Sequence, residues 1–112
     1  MRSPWIEIAV NAISDKKGHN TLIIDVGEVL GISDNFVITS GSNSRQVRSL
    51  VEEIEAQITN KFGPKPIRIE GNNDYLWVLM DYGDFVVHVF HTDERDHYKL
   101  EKLWADMPTE TV

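Results

Sequence analysis

Residues 75–91 read YLWVLMDYGDFVVHVFH. Two runs of apolar and β-branched residues, 75–81 and 84–91, flank Tyr82-Gly83, which is the signal of a hairpin closed by a two-residue turn. With that turn, Asp81 faces Asp84, Leu79 faces Val86, Trp77 faces His88 and Tyr75 faces Phe90. Period-two alternation then divides the hairpin into two faces. Leu76, Val78, Met80, Phe85, Val87 and Val89 form a wholly hydrophobic face, predicted to meet the core. The other face mixes Tyr75, Trp77 and Phe90 with Asp81, Asp84 and His88. Two readings of it stand side by side: half-buried packing beneath a helix, or a docking surface with Tyr and Trp as anchors.

Upstream, PIRIEG (66–71) alternates like a third strand of this region. Before it, Val47, Leu50, Val51, Ile54 and Ile58 keep one apolar face from Ser44 to about Phe62, the clearest helix of the chain. Ser42 or Ser44 is expected to cap its start, and Gly63 with Pro64 to stop it. TLIIDV (21–26) and NFVITSG (35–41) read as strands around the glycine-containing loop GEVLGISD. The first helix is expected over Pro4–Lys16, with Ser3 as cap, Ile6, Ala9, Val10 and Ile13 as its stripe, and Gly18 closing it. Downstream of the hairpin, Thr92 is expected to cap a last helix, with Asp93 and Glu94 in its first turn and Leu100, Leu103, Trp104 and Met107 as its buried stripe. PTETV (108–112) is expected to be a flexible tail after a single domain over 1–107.

The order α-β-β-α-β-β-β-α, with a hairpin late in the chain, implies a mixed sheet of about five strands flanked by helices, an α/β or α+β domain. The strand order does not follow from this pattern. At 112 residues the chain suits one core, and 41% hydrophobic residues suffice to build it. There is no cysteine, which excludes a disulfide framework and a thiolate metal site. No apolar run is long enough for a signal peptide or a membrane span, so a soluble cytoplasmic protein is expected. Eleven Lys+Arg against 18 Asp+Glu give a formal charge of −7. Affinity driven by phosphates needs clustered cations, so little direct nucleic-acid binding and no membrane binding are expected; an acidic surface suits a basic protein partner.

VHVFHTDERDHY (87–98) gathers three histidines and three acids, and so raises a metal site or an acid/base cluster. The side-chain directions disperse it. His88 and His91 are three apart on a strand and point to opposite faces. His97 lies three residues before Leu100 and is expected to pack at the core's edge. Asp93 and Glu94 belong to the helix start. No metal, cofactor or catalytic residue is assigned. The GSNSR segment (41–45), a glycine-serine turn opening a helix, matches the start of a nucleotidyltransferase signature. The carboxylates that should follow on a strand are here Glu52, Glu53 and Glu55, inside a helix. Asp81 and Asp84 beside Gly83 are turn formers.

LIIDV (22–26), SDNFVITSGSNSRQV (33–47) and IEGNNDYLWVLMDYGDFVVHVFHTDERDHYKLEKLW (69–104) together resemble the ribosomal silencing factor family, the Iojap-related proteins. The likeness runs from about Ile6 to Trp104. It implies a nucleotidyltransferase-like fold without catalysis. It further implies binding to the large ribosomal subunit through that subunit's fourteenth protein, a steric block on subunit joining when nutrients are scarce, and homodimers off the ribosome. It carries interface roles onto Trp77, Asp81, Tyr82, His88 and Tyr98. Tyr98 lies about 200° around the helix from Leu100, away from the stripe. The alternatives are a nucleotidyltransferase-like or metal-dependent enzyme, and an interaction module unrelated to the ribosome.

Overall fold

The computed structural model describes residues 2–27 and 34–112, so most of the expected loop over 27–34 lies outside the described residues. The elements are α1 (Pro4–Asp15), β1 (His19–Asp25), β2 (Asn35–Gly41), α2 (Ser44–Asn60), β3 (Arg68–Glu70), β4 (Trp77–Asp81), β5 (Phe85–His91), α3 (Thr92–Tyr98), a 3₁₀ turn (Leu100–Trp104) and β6 (Thr109–Thr111). Six strands form one sheet in the order β3-β4-β5-β2-β1-β6. The β2–β5 pair is parallel and the other neighbours are antiparallel. The expected α+β class with a mixed sheet is therefore found, with one strand more. That strand is the expected tail: residues 109–111 pair with Leu22–Ile24, and Asp25 donates its N–H to the Pro108 carbonyl at 2.9 Å.

The sheet is covered on both faces. On one, α1 and α2 bury Ile6, Ala9, Ala12, Ile13, Val47, Leu50, Val51, Ile54 and Ile58 against Val37, Val78, Met80, Phe85, Val87 and Val89. All five expected α2 positions are in this core; in α1, Ala12 is fully buried and Val10 only partly. Leu76, expected on the core face, is exposed because it precedes β4. The start of β4 shifts because Gly71 (φ +85) and Tyr75 (φ +58) turn the chain in left-handed conformation. A Cβ on Gly71 would stand 1.9 Å from the Trp77 carbonyl oxygen, a place only glycine can occupy.

The hairpin register is shifted by two from that of a Tyr82-Gly83 turn. Trp77 faces Phe90, Leu79 faces His88, and Asp81 faces Val86. Tyr82 and Phe85 continue that register, the Tyr82 N–H donating to the Phe85 carbonyl at 3.0 Å, so the turn is Gly83-Asp84, with the Gly83 N–H on Asp81 Oδ1 at 2.8 Å. A shift of two residues leaves every side chain on its face, so the division into two faces survives the error in pairing.

The caps also differ. Asn43, not Ser42 or Ser44, caps α2, its Oδ1 accepting the Gln46 N–H at 2.8 Å. Gln46 Oε1 in turn accepts the Ser42 N–H, and Gln46 Nε2 donates to the carbonyls of Lys16 and Lys17, joining the start of α2 to the end of α1. Both helices end in the same six-to-one, five-to-two bonding. Gly63 N–H reaches the Ile58 carbonyl and Phe62 N–H that of Thr59; Gly18 N–H reaches Ile13 and Lys17 N–H reaches Ser14. In each the left-handed position falls to the residue before the glycine, Phe62 (φ +63) or Lys17 (φ +59). The glycines are required for space: a Cβ would lie 2.5 Å from Ile58 Cγ2 at Gly63, and 2.5 Å from Ile13 Cγ2 at Gly18.

At the last helix His91, not Thr92, is the cap; its Nδ1 accepts the Asp93 N–H, while Thr92 Oγ1 donates to the Gly41 carbonyl. Lys99 in left-handed conformation (φ +51) ends α3 after seven residues, and the chain continues as a 3₁₀ turn. That break rotates the expected stripe: Leu100, Trp104 and Met107 pack on the sheet, but Leu103 is 77% exposed. Arg95, given no role by the sequence pattern, is buried and bonds the His19 carbonyl, Ser40 Oγ and Glu101 Oε2. It fastens α3 to the ends of β1 and β2.

Candidate docking site

On the second sheet face Ile24, Val26, Ile38 and Phe90 are buried, with Phe36, Trp77, Leu100, Trp104 and Met107 partly buried around them. Trp77 and His88 arrive there by strand alternation, and β2 brings Phe36 and Ile38 alongside through its parallel pairing with β5. The Trp77 indole stacks on Phe90, with ring centroids 4.7 Å apart and 27° between planes, and Tyr98 leans on it from α3 at 5.2 Å. Trp77 Nε1–H donates to His88 Nδ1 at 3.1 Å. Phe36 meets His88 edge-on at 4.6 Å and Trp104 at 5.6 Å.

Burial of His88 in this aromatic box pushes its pKa down to about 4, because an imidazolium would lose its hydration there. The ring is therefore neutral near pH 7. Since Nδ1 accepts from Trp77, the proton sits on Nε2, which has no hydrogen-bond partner among the described residues. His88 thus orients the indole from beneath. Trp77 keeps part of its surface accessible, and Tyr98 is 52% exposed.

Of the seven residues expected at a partner surface, three come together: Trp77, His88 and Tyr98. Tyr75 lies on the other side, packed against the α1–α2 core with the Arg48 guanidinium 5.8 Å over its ring. Its left-handed backbone takes it out of the alternation. Tyr82 is buried and stacks on Phe85 at 4.9 Å; burial first, and the Glu55 carboxylate second, push its phenol pKa up. Asp81 shapes the turn and lies 3.5 Å from Arg68, while Asp84 is exposed in the turn. Sequence reasoning missed Phe36, whose place depends on a parallel strand pairing with no local signal; it placed Trp104 on a buried stripe without linking it to this box.

The histidine-rich stretch is dispersed: His88 is in the box, His91 caps α3, and His97 is exposed, edge-on to Tyr98, rather than packed at the core's edge. Among the described residues no three His, Asp or Glu side chains converge as metal ligands, and no helix is long and apolar enough to cross a membrane.

The family described as "Ribosomal silencing factor during starvation" matches residues 2–112. The ribosomal silencing factor RsfS of Halalkalibacterium halodurans is 41% identical over 104 residues, 93% of this chain and 88% of that one. A crystal structure of a Bacillus halodurans protein superposes with a TM-score of 0.82 at 37% identity, covering 96% of both chains. The mouse "Mitochondrial assembly of ribosomal large subunit protein 1" is 29% identical over 102 residues, 89% of this chain and 45% of that protein. By its match over nearly every residue and its identity to these relatives, the chain belongs to the ribosomal silencing factor family.

Proposed function

We propose that this protein acts in the cytoplasm as a translational repressor that binds the large ribosomal subunit through that subunit's fourteenth protein. Held at the joining surface, its bulk blocks the small subunit when nutrients are limiting. The observation that carries the reading is the Trp77–His88–Tyr98 platform, a rigid aromatic surface on an acidic domain. Aromatic rings fixed in advance supply contact area at little entropy cost, and a formal charge of −7 favours a basic ribosomal protein. The name of the mouse relative supports the large subunit as the partner. Trp77 and Tyr98 form the contact and His88 positions the indole; Leu79 and Asp81 share that face of β4 at its rim. Off the ribosome the chain self-associates as a homodimer.

No bond is made or broken in this mechanism. The nucleotidyltransferase-like alternative finds its carboxylates engaged elsewhere: Glu52 with Arg48 at 3.3 Å, Glu53 with Gln57 at 2.8 Å, and Glu55 beside Tyr82. The test is sedimentation with isolated large subunits. The wild-type chain should comigrate, and Trp77→Ala should weaken binding by about 2 kcal/mol, roughly 30-fold. Unchanged affinity would remove Trp77 from the contact.

A further inference from the structure

Residues 61–68, KFGPKPIR, lead from α2 into β3 and hold three cations and no acid, in a chain with 18 acids and 11 bases. Lys61 and Lys65 are exposed and have no ion pair among the described residues; Arg68 is partly neutralised by Glu70 at 3.9 Å and Asp81 at 3.5 Å. Between the lysines Phe62 is 97% exposed, on a left-handed backbone that disfavours any side chain. Exposure and backbone conformation are both unfavourable for Phe62, and no contact within the described fold offsets them. The segment is stiff. Pro64 and Pro66 fix their own φ, and Gly63 is wedged against Ile58 and Trp5.

The segment also borders the docking face. The Ile67 N–H donates to the Asp81 carbonyl at 2.7 Å, and Ile67 Cδ1 lies 3.3 Å from where a Gly83 Cβ would stand. β3 is the sheet edge next to β4, the strand carrying Trp77. The segment joins β4 at its Asp81 end, whereas Trp77 opens that strand, so the rim offers a contact separate from the one on Trp77 and Tyr98.

We infer that residues 61–68 form an RNA-contacting rim, in which Lys61 and Lys65 meet backbone phosphates and Phe62 stacks on an unpaired base. An exposed aromatic between cations on a stiff loop is the chemistry that grips unpaired nucleotides. The acidic remainder of the surface is repelled by phosphate, which confines the contact to the rim and sets the chain's orientation. The inference rests on the large-subunit reading and supplies ribosomal RNA as a second partner beside the protein one.

The test uses isolated large subunits across a series of KCl concentrations. Lys61→Glu with Lys65→Glu should weaken binding at least 10-fold and flatten the dependence of log affinity on log salt by about 1.4, at roughly 0.7 per single-strand phosphate. Phe62→Ala should weaken binding about 5-fold or more with the salt slope retained. After ultraviolet irradiation and nuclease and trypsin treatment, the peptide Phe62–Arg68 should carry a nucleotide adduct. Wild-type affinity and slope in the double variant, or a crosslink from this peptide to protein alone, would overturn the inference. Trp77→Ala, run in parallel, separates the two readings: unchanged binding there alone removes the aromatic platform and leaves the rim standing. If the chain does not bind large subunits at all, a labelled single-stranded 12-nucleotide RNA becomes the probe, and its failure to bind ends the proposal.

Discussion

His88 shows how much one buried ring can decide. Its neutral form fills a box of Phe36, Trp77 and Phe90, and its Nδ1 accepts the indole proton of Trp77. Because its pKa falls from 6.5 to about 4 on folding, the unfolded chain takes up a proton first as pH drops. The associated stability is present above pH 6.5 and is lost as pH falls from there to about 4, on the order of 3 kcal/mol in all. Urea denaturation of wild type and His88→Gln across that window should show the wild type losing this increment and the variant not; parallel curves would assign the loss to other groups. The face of His88 was legible from alternation alone, since a register error of two leaves it unchanged. Tyr75 and Tyr82 were not: Tyr75 sits on a left-handed backbone that takes it out of strand parity, and Tyr82, read as a turn residue, continues the core-side parity of Val78 and Met80.

At the scale of elements, both long helices and their buried positions could be read because periodicity is local and repeated. Their ends could not. A glycine after a helix signals a left-handed terminus, but here Gly18 and Gly63 stand one place further on, held there by the lack of room for a Cβ. This gives opposite outcomes at the two positions of such a helix end. Gly63→Ala should destabilise the fold by about 1–3 kcal/mol, since the added carbon meets Ile58 and Trp5. Lys17→Gly, at an exposed left-handed position, should stabilise it by roughly 1 kcal/mol. Urea midpoints of the two variants check both signs. The seven-residue α3 was over-extended in the sequence reading because its apolar spacing continues past Lys99; a left-handed break there has no glycine to announce it.

For the whole molecule, the class of fold followed from the order of elements, whereas the sheet order did not. The β2–β5 parallel pair and the addition of β6 beside β1 join residues far apart in the chain, and nothing local encodes them. The exposed residues 108–112 look like a tail until a strand edge is available to them. Their removal should cost about 1 kcal/mol, because backbone pairs are lost but little apolar surface is uncovered. The sharper readout is hydrogen exchange: the Asp25 amide, bonded to the Pro108 carbonyl, should exchange faster in the truncated chain, and unchanged protection would mean that β6 does not hold that edge in solution.

The parallel pair has a consequence for synthesis as well. β2 is complete at Gly41, but the strand that covers its outer edge begins only at Phe85. At elongation rates of roughly 5–20 residues per second, residues 42–84 take about 2–9 s to be added. For that interval the nascent chain carries an open strand edge, with Val37 and Ile38, both fully buried in the finished fold, facing water. The most aggregation-prone moment in the life of this protein is thus set by strand order, and it ends only when the residues of the hairpin have left the ribosome that made them.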